Sequence, residues 1–174
     1  RRNDQWLGTL QADLRVTPDV TATWVAGYYN FDEMNAHDAS VGPRGVLLVP
    51  FLPFKMEQIT QEFRVASDWS SPLNFTVGAF YETRDTYGAQ DAVITLPPNP
   101  FRIGTEETFQ KQEAVSLFGQ LLWDITPELE LSSGLRFTSE NKQLRFLRNG
   151  TDLTRNLAAR TGDEVKFETM SFSG

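Results

Sequence analysis

Residues 116–142, SLFGQLLWDITPELELSSGLRFTSENK, alternate apolar and polar side chains on both sides of one Thr126-Pro127-Glu128 corner. Before the corner, Val115, Leu117, Gly119, Leu121, Trp123 and Ile125 share a face. After it, Leu129, Leu131, Leu135 and Phe137 do, with Ser133 among them. The other face holds Ser116, Gln120, Asp124, Glu130, Ser132, Arg136, Thr138 and Glu140. A period of two is the mark of a β-strand with one apolar face. The length is the stronger constraint. These strands run ~10–14 residues, where strands of water-soluble domains average ~5–6.

The pattern recurs along the chain. WLGTLQADLRV places Trp6, Gly8, Leu10, Ala12, Leu14 and Val16 on one face, and Thr9, Gln11, Asp13 and Arg15 on the other, with Leu7 out of pattern. After Thr17-Pro18-Asp19, Val20, Ala22, Trp24, Ala26 and Tyr28 alternate back. QITQEFRVAS sets Ile59, Phe63 and Val65 against Glu62 and Arg64. Beyond DWSSP, Leu73, Phe75, Val77, Ala79 and Tyr81 share a face. Proline presets φ at a corner and brings no donor to a ladder, so these short turns close hairpins. Longer segments near 32–57, 84–110 and 147–164 break the alternation, two of them with several prolines, and are predicted to be loops. No segment shows a helical period.

A weak repeat relates the outgoing strands. With Val20, Leu73 and Leu129 in register, Tyr28, Tyr81 and Phe137 coincide eight positions later on the same face. Eight steps of roughly 3.3 Å tilted by ~40° rise about 20 Å, close to the ~25 Å apolar band of an outer-membrane barrel with an aromatic girdle. Trp69 and Trp123, beside short turns, suit the opposite girdle. The expected fold is therefore all-β, an antiparallel up-and-down meander of about seven strands forming part of a transmembrane β-barrel. A passive porin-like channel and a soluble carbohydrate-binding β-sandwich are the alternatives.

Composition narrows the function. A net charge of −7 and the lack of clustered Lys and Arg exclude nucleic acid as a partner. The chain has no cysteine, so disulfides, thiolate catalysis and Cys-ligated metals are absent. No apolar run reaches the ~18 residues of a membrane helix, which says nothing against a barrel. The chain opens on Arg1-Arg2 and ends within a strand-like VKFETMSFSG, so an internal piece of a longer protein is expected.

Three stretches carry a family resemblance: QEFRVASDWSSPLNFTVGAFYE, FGQLLWDITPELELSSGLRFTSENK and, more weakly, VKFETMSFSG. They resemble barrel strands of TonB-dependent outer-membrane receptors. There, a Gln-Glu-Phe-Arg strand precedes a periplasmic turn and a Val-Gly-Ala-Phe-Tyr strand, and a Gly-Leu-Arg-Tyr/Phe-Thr strand follows later. The resemblance covers residues 61–142 and extends more loosely over 1–31. It implies a bacterial outer-membrane location, a large barrel closed by further strands, and a plug domain. It also implies coupling to the TonB complex and uptake of a small ligand such as a metal chelate. The plug, the energy-coupling box and the C-terminal aromatic signal have no counterpart in these residues.

Catalysis finds little support. His37 is the only histidine, and with Ser40 and Asp38 as sequence neighbours it offers no convergent triad. Glu106-Glu107 and Asp163-Glu164 read as solvated charge. The chain is expected not to be an enzyme and to need no cofactor or metal. The ligand candidates are Phe51 and Phe54 in GVLLVPFLPF, and Phe101 and Arg102 in NPFRIG. Gln11, Asp13, Arg15, Glu62, Arg64, Gln120, Glu130 and Arg136 are predicted to face the lumen. Leu14, Val16, Val20, Tyr28, Phe75, Tyr81, Leu117, Leu121, Trp123, Leu131, Leu135 and Phe137 are predicted to face lipid.

A lipid-facing surface makes the two sides of one strand respond oppositely. Leu121→Arg is expected to cost assembly about 2–4 kcal/mol, while Gln120→Arg is nearly neutral. Folding yield into lipid vesicles checks this, and equal tolerance at the two positions counts against a lipid-facing surface.

Overall fold

A computed structural model describes residues 2–38, 47–95, 101–153 and 164–173. They form one antiparallel sheet in which each strand pairs with its sequence neighbour. The strands are β1 (Arg2–Thr17), β2 (Val20–Asp38), β3 (Leu47–Ser67), β4 (Leu73–Ile94), β5 (Phe101–Thr126), β6 (Leu129–Arg148), the two-residue β7 (Thr151–Asp152) and β8 (Glu164–Ser173). Both β7 and β8 pair with β6. The architecture is all-β, with seven long up-and-down strands in an open sheet, as the alternation predicts. A sandwich needs a second packed layer; the described residues form only one.

The strands differ from expectation in their length. β4 has 22 residues and β5 has 26, so each continues far past its apolar stretch. Much of the predicted loops at 32–57 and 84–110 is strand: 32–38, 47–57, 84–94 and 101–110 all lie in the ladder. The physical reason is that alternation reveals a strand only where one face is apolar. Beyond that zone both faces are mixed, and the pattern falls silent while pairing continues. Near 147–164, β6 reaches Arg148 and turns through Asn149 (φ 50°) and Gly150 (φ 78°) into β7. Two successive positive φ values make this a type I′ corner, which Asn-Gly favours. Ser40 and residues 154–163 lie outside the described residues; His37 pairs through its backbone with Val49.

Register joins the apolar faces strand to strand. Directly paired residues share a face, and one row runs Leu14–Ala22–Val65–Val77–Gly119–Leu135. The next runs Ala12–Trp24–Phe63–Ala79–Leu117–Phe137. These side chains are open: Leu14 is 67% exposed, Leu117 59% and Phe63 52%. Among the described residues the buried apolar side chains are Val49 and Ala89. The described residues therefore carry a broad apolar surface with almost no core among them, which marks a surface meant for other contacts.

The repeat of Tyr28, Tyr81 and Phe137 runs obliquely across these rows. The row from Tyr28 reaches β4 at Thr83, two residues beyond Tyr81. The row from Tyr81 reaches β6 at Ser139, two residues beyond Phe137. The aromatic line thus shifts by one residue per strand. At ~3.3 Å along for ~4.8 Å across, that stagger corresponds to a strand tilt of about 35°, within the range for outer-membrane barrels.

Gly78 fixes the packing of the opposite face. A Cβ there would come 2.4 Å from Phe118 Cζ and 2.7 Å from the Phe63 carbonyl oxygen. The Phe118 ring lies where a side chain at 78 would be. Gly78→Ala is expected to displace it and destabilise the sheet by about 1–3 kcal/mol, measured as a shift of the urea midpoint for unfolding from lipid vesicles.

Candidate functional site

The polar face is built in layers. From the short-turn end, one row reads Asp13–Thr23–Arg64–Gly78–Phe118–Arg136 and the next Gln11–Val25–Glu62–Phe80–Ser116–Thr138. Glu82 and Glu140 share the third row, and Arg84 and Lys142 the fourth. Alternation puts residues two apart on one side, so acid and base meet along single strands. Glu62 reaches Arg64 at 3.4 Å, Glu82 reaches Arg84 at 2.8 Å and Glu140 reaches Lys142 at 2.8 Å. Asp13 accepts hydrogen bonds from Thr23 Oγ1 (2.6 Å) and Gln11 Nε2 (2.9 Å). Gln120 and Glu130 lie exposed nearer the turn, opposite Gly134 and Asp124. All eight residues predicted to face a lumen therefore share this polar face, and all twelve predicted to face lipid share the apolar one.

Past the fourth row the polar face turns aromatic. Phe31 and Phe54 meet edge to face, their ring centroids 5.9 Å apart. A recess of about 490 Å³ opens beside them, lined by Glu33, Leu52, Phe54, Gln90, Glu106 and Phe146 among others. Pro53 helps to shape it. Between the pairs Phe51↔Asp91 and Phe54↔Gly88 the β3–β4 ladder is interrupted, and Pro53 has no N–H to offer there. Leu52, Pro53, Ala89 and Gln90 at the interruption all line the recess. Glu106 accepts a hydrogen bond from Gln90 Nε2 at 2.7 Å and lies 3.7 Å from Arg148.

The four predicted ligand residues separate into two groups. Phe54 lines the recess. Phe51 is paired with Asp91, and Phe101 is exposed beside Arg102. Arg102 is committed to Asp91: its Nε donates to Oδ1 at 2.7 Å and to Oδ2 at 2.8 Å, and Nη2 also donates to Oδ2. These hydrogen bonds, then the carboxylate charge, hold the guanidinium more firmly protonated than usual. On the same face as Asp91, burial, then the hydrogen bond to Glu107, raises the pKa of the Tyr87 phenol.

Glu33 and Phe146 went unmarked in the sequence, and Glu106 reads there as solvated charge, because no apolar alternation surrounds them. The Asn-Gly pair at 149–150 was the available signal. Asn149 donates its backbone N–H to the Thr105 carbonyl at 2.8 Å and accepts from the Thr105 N–H at 2.9 Å. A Cβ on Gly104 (φ +144°) would come 2.5 Å from Asn149 Oδ1, so glycine suits both the backbone and the contact.

No protein-family model and no curated protein sequence matches the chain. Solved structures do. The ferric yersiniabactin uptake receptor FyuA from Yersinia pestis superposes with a TM-score of 0.71 at 16% identity, over 98% of this chain and 24% of that one. The siderophore receptor PiuA from Acinetobacter baumannii gives 0.70 at 16% identity, over 98% of this chain and 29% of that one. The chain thus has the fold of a segment of these receptors and spans about a quarter of their length.

Asp91 is 5% exposed in its side chain, against 67% for Arg102, so the pair is asymmetric. Arg102→Gln leaves a desolvated carboxylate unpaired and is expected to cost about 1–3 kcal/mol. Adding Asp91→Asn should recover part of that loss in the same urea titration.

Proposed function

We propose that this chain is part of the barrel wall of a TonB-dependent receptor of the bacterial outer membrane, which takes up a scarce nutrient such as a ferric siderophore. The observation that carries the reading is the unbroken, exposed apolar belt on one face of a single sheet. Its stagger is that of an outer-membrane barrel, and the fold is shared with two siderophore receptors.

In this reading the belt from Leu14 to Phe137 meets outer-membrane lipid. The layered face carrying Glu62, Arg64 and Arg136 looks into the lumen. The Pro18, Pro72 and Pro127 turns lie at the periplasmic rim, and the long extensions of β4 and β5 stand outside the cell. The exposed edge of β1 joins further strands of the receptor, a plug domain fills the lumen, and energy arrives through the TonB complex. The recess at Phe54 meets the ligand, whereas Phe51 shares the opposite face with Asp91, and Arg102 mainly holds Asp91. An apolar recess with a few convergent polar groups is the usual form of a small-molecule site. A metal chelate, with its broad organic shell, fits that description.

Uptake of radiolabelled ferric chelates by cells relying on the full-length receptor tests the proposal. Uptake is expected to stop when the proton gradient is collapsed. Phe54→Ala should weaken chelate binding about tenfold with the barrel intact. Uptake that persists without energy points to a passive channel instead.

A further inference from the structure

The recess beside Phe54 has a charge as well as a shape. One row through it reads Glu33–Phe54–Gly88–Thr108–Phe146. Gly88 keeps the middle of that row open: a Cβ there would meet nothing nearer than Phe54 Cδ2 at 3.9 Å. The Phe54 and Phe146 rings therefore stand on either side of a gap. Glu33 lies beside Phe54, and Glu106 belongs to the next row, opposite Arg148.

Glu33 has no base to neutralise it. Two residues away along its strand are Phe31 and Asn35, and opposite it on the neighbouring strands are Asn3 and Phe54. Among the described residues none gives it an ion pair or a hydrogen bond. Glu62, Glu82 and Glu140, lower on the same face, each have an Arg or Lys two residues on. Glu106 is partly matched, with Gln90 donating to it at 2.7 Å and Arg148 at 3.7 Å. Two carboxylates thus share one guanidinium among the described residues of the recess.

The rings and the carboxylates favour the same sign of charge. A cation is attracted by Glu33 and by the faces of aromatic rings, whose quadrupoles are negative there. An anion is repelled by both. Phe54 is 38% exposed, so a charged group seated against it keeps part of its hydration and avoids the full cost of burial.

From this geometry we infer that the recess selects a ligand bearing a cationic group, a protonated amine or a guanidinium on an apolar arm, and disfavours an anionic one. The inference rests on the recess being the ligand site and adds to that reading the sign of the ligand's charge. Phe54 and Phe146 seat the arm, and Glu33 takes the charge. Among metal chelates it favours those whose organic shell carries an ammonium group over those with free carboxylates.

The test uses the full-length receptor in lipid vesicles, with Phe54→4-fluorophenylalanine as a fluorine NMR reporter in the recess. Heat-modifiable migration on gels first verifies that the barrel has formed. Three probes of one shape are titrated: 2-phenylethylammonium, 2-phenylethanol and 3-phenylpropanoate. The ammonium is expected to bind about tenfold more tightly than the alcohol, and the carboxylate most weakly. Glu33→Gln should abolish the preference for the ammonium, and Glu33→Asp, which keeps the charge on a shorter arm, should retain part of it. Equal affinity for the three probes, tightest binding of the carboxylate, no shift of the fluorine resonance, or a preference indifferent to Glu33→Gln overturns the inference. Uptake of ferric chelates by cells carrying the same receptor separates the two readings. Uptake that stops with the proton gradient leaves the receptor reading intact when the probes fail, and uptake that persists overturns that reading even when the ammonium is preferred.

Discussion

The backbone ladder is the interaction on which the rest depends. Every long strand pairs antiparallel with a neighbour, from Arg2↔Met34 in β1 to Gly134↔Ser173 in β8. In hydrocarbon an unpaired N–H or C=O has no water to turn to, so a strand wall survives there only as a continuous ladder. The same ladder lets the sheet exist without a core. With almost no buried apolar side chains among the described residues, pairing and register carry the order that packing carries in a water-soluble domain.

Register then converts one-dimensional alternation into two surfaces. Because directly opposed residues share a face, six separate patterns merge into one apolar belt and one charged wall. A slip of a single residue between any two strands would exchange the faces and break both. The charged wall is largely self-neutralised within strands, through Glu62–Arg64, Glu82–Arg84 and Glu140–Lys142. Such pairs need no cross-strand partner and survive small changes in register. The places where this scheme lapses are the informative ones. They meet at the aromatic recess around Phe54, where a proline interrupts the ladder and Glu33 has no base two residues along its strand.

How much could be read beforehand followed the solvent contrast. Residues of the belt, from Leu14 through Phe137, were legible because an apolar face beside a polar one gives a period of two. The short turns were legible from their prolines. The extensions of β2 to β5 were not, since both faces there are mixed, and Pro50 and Pro53 resemble loop punctuation. Proline in a central strand is ordinarily excluded. Pro53 is accommodated where the β3–β4 pairing lapses, and that lapse helps to form the recess. Arg102 looked available for a ligand because Asp91 lies eleven residues away, and only the β4–β5 pairing brings them together.

The sequence by itself determined the strand class, the two faces, the short turns and the repeat of Tyr28, Tyr81 and Phe137. Each of these is local, set by side chains within one or two strands. Tertiary structure alone decided the one-residue stagger, the true strand lengths and the recess at Phe54 with Glu33 and Glu106 beside it. Those depend on which residues of different strands lie opposite one another. Backbone pairing sets that correspondence, and no single strand's pattern encodes it.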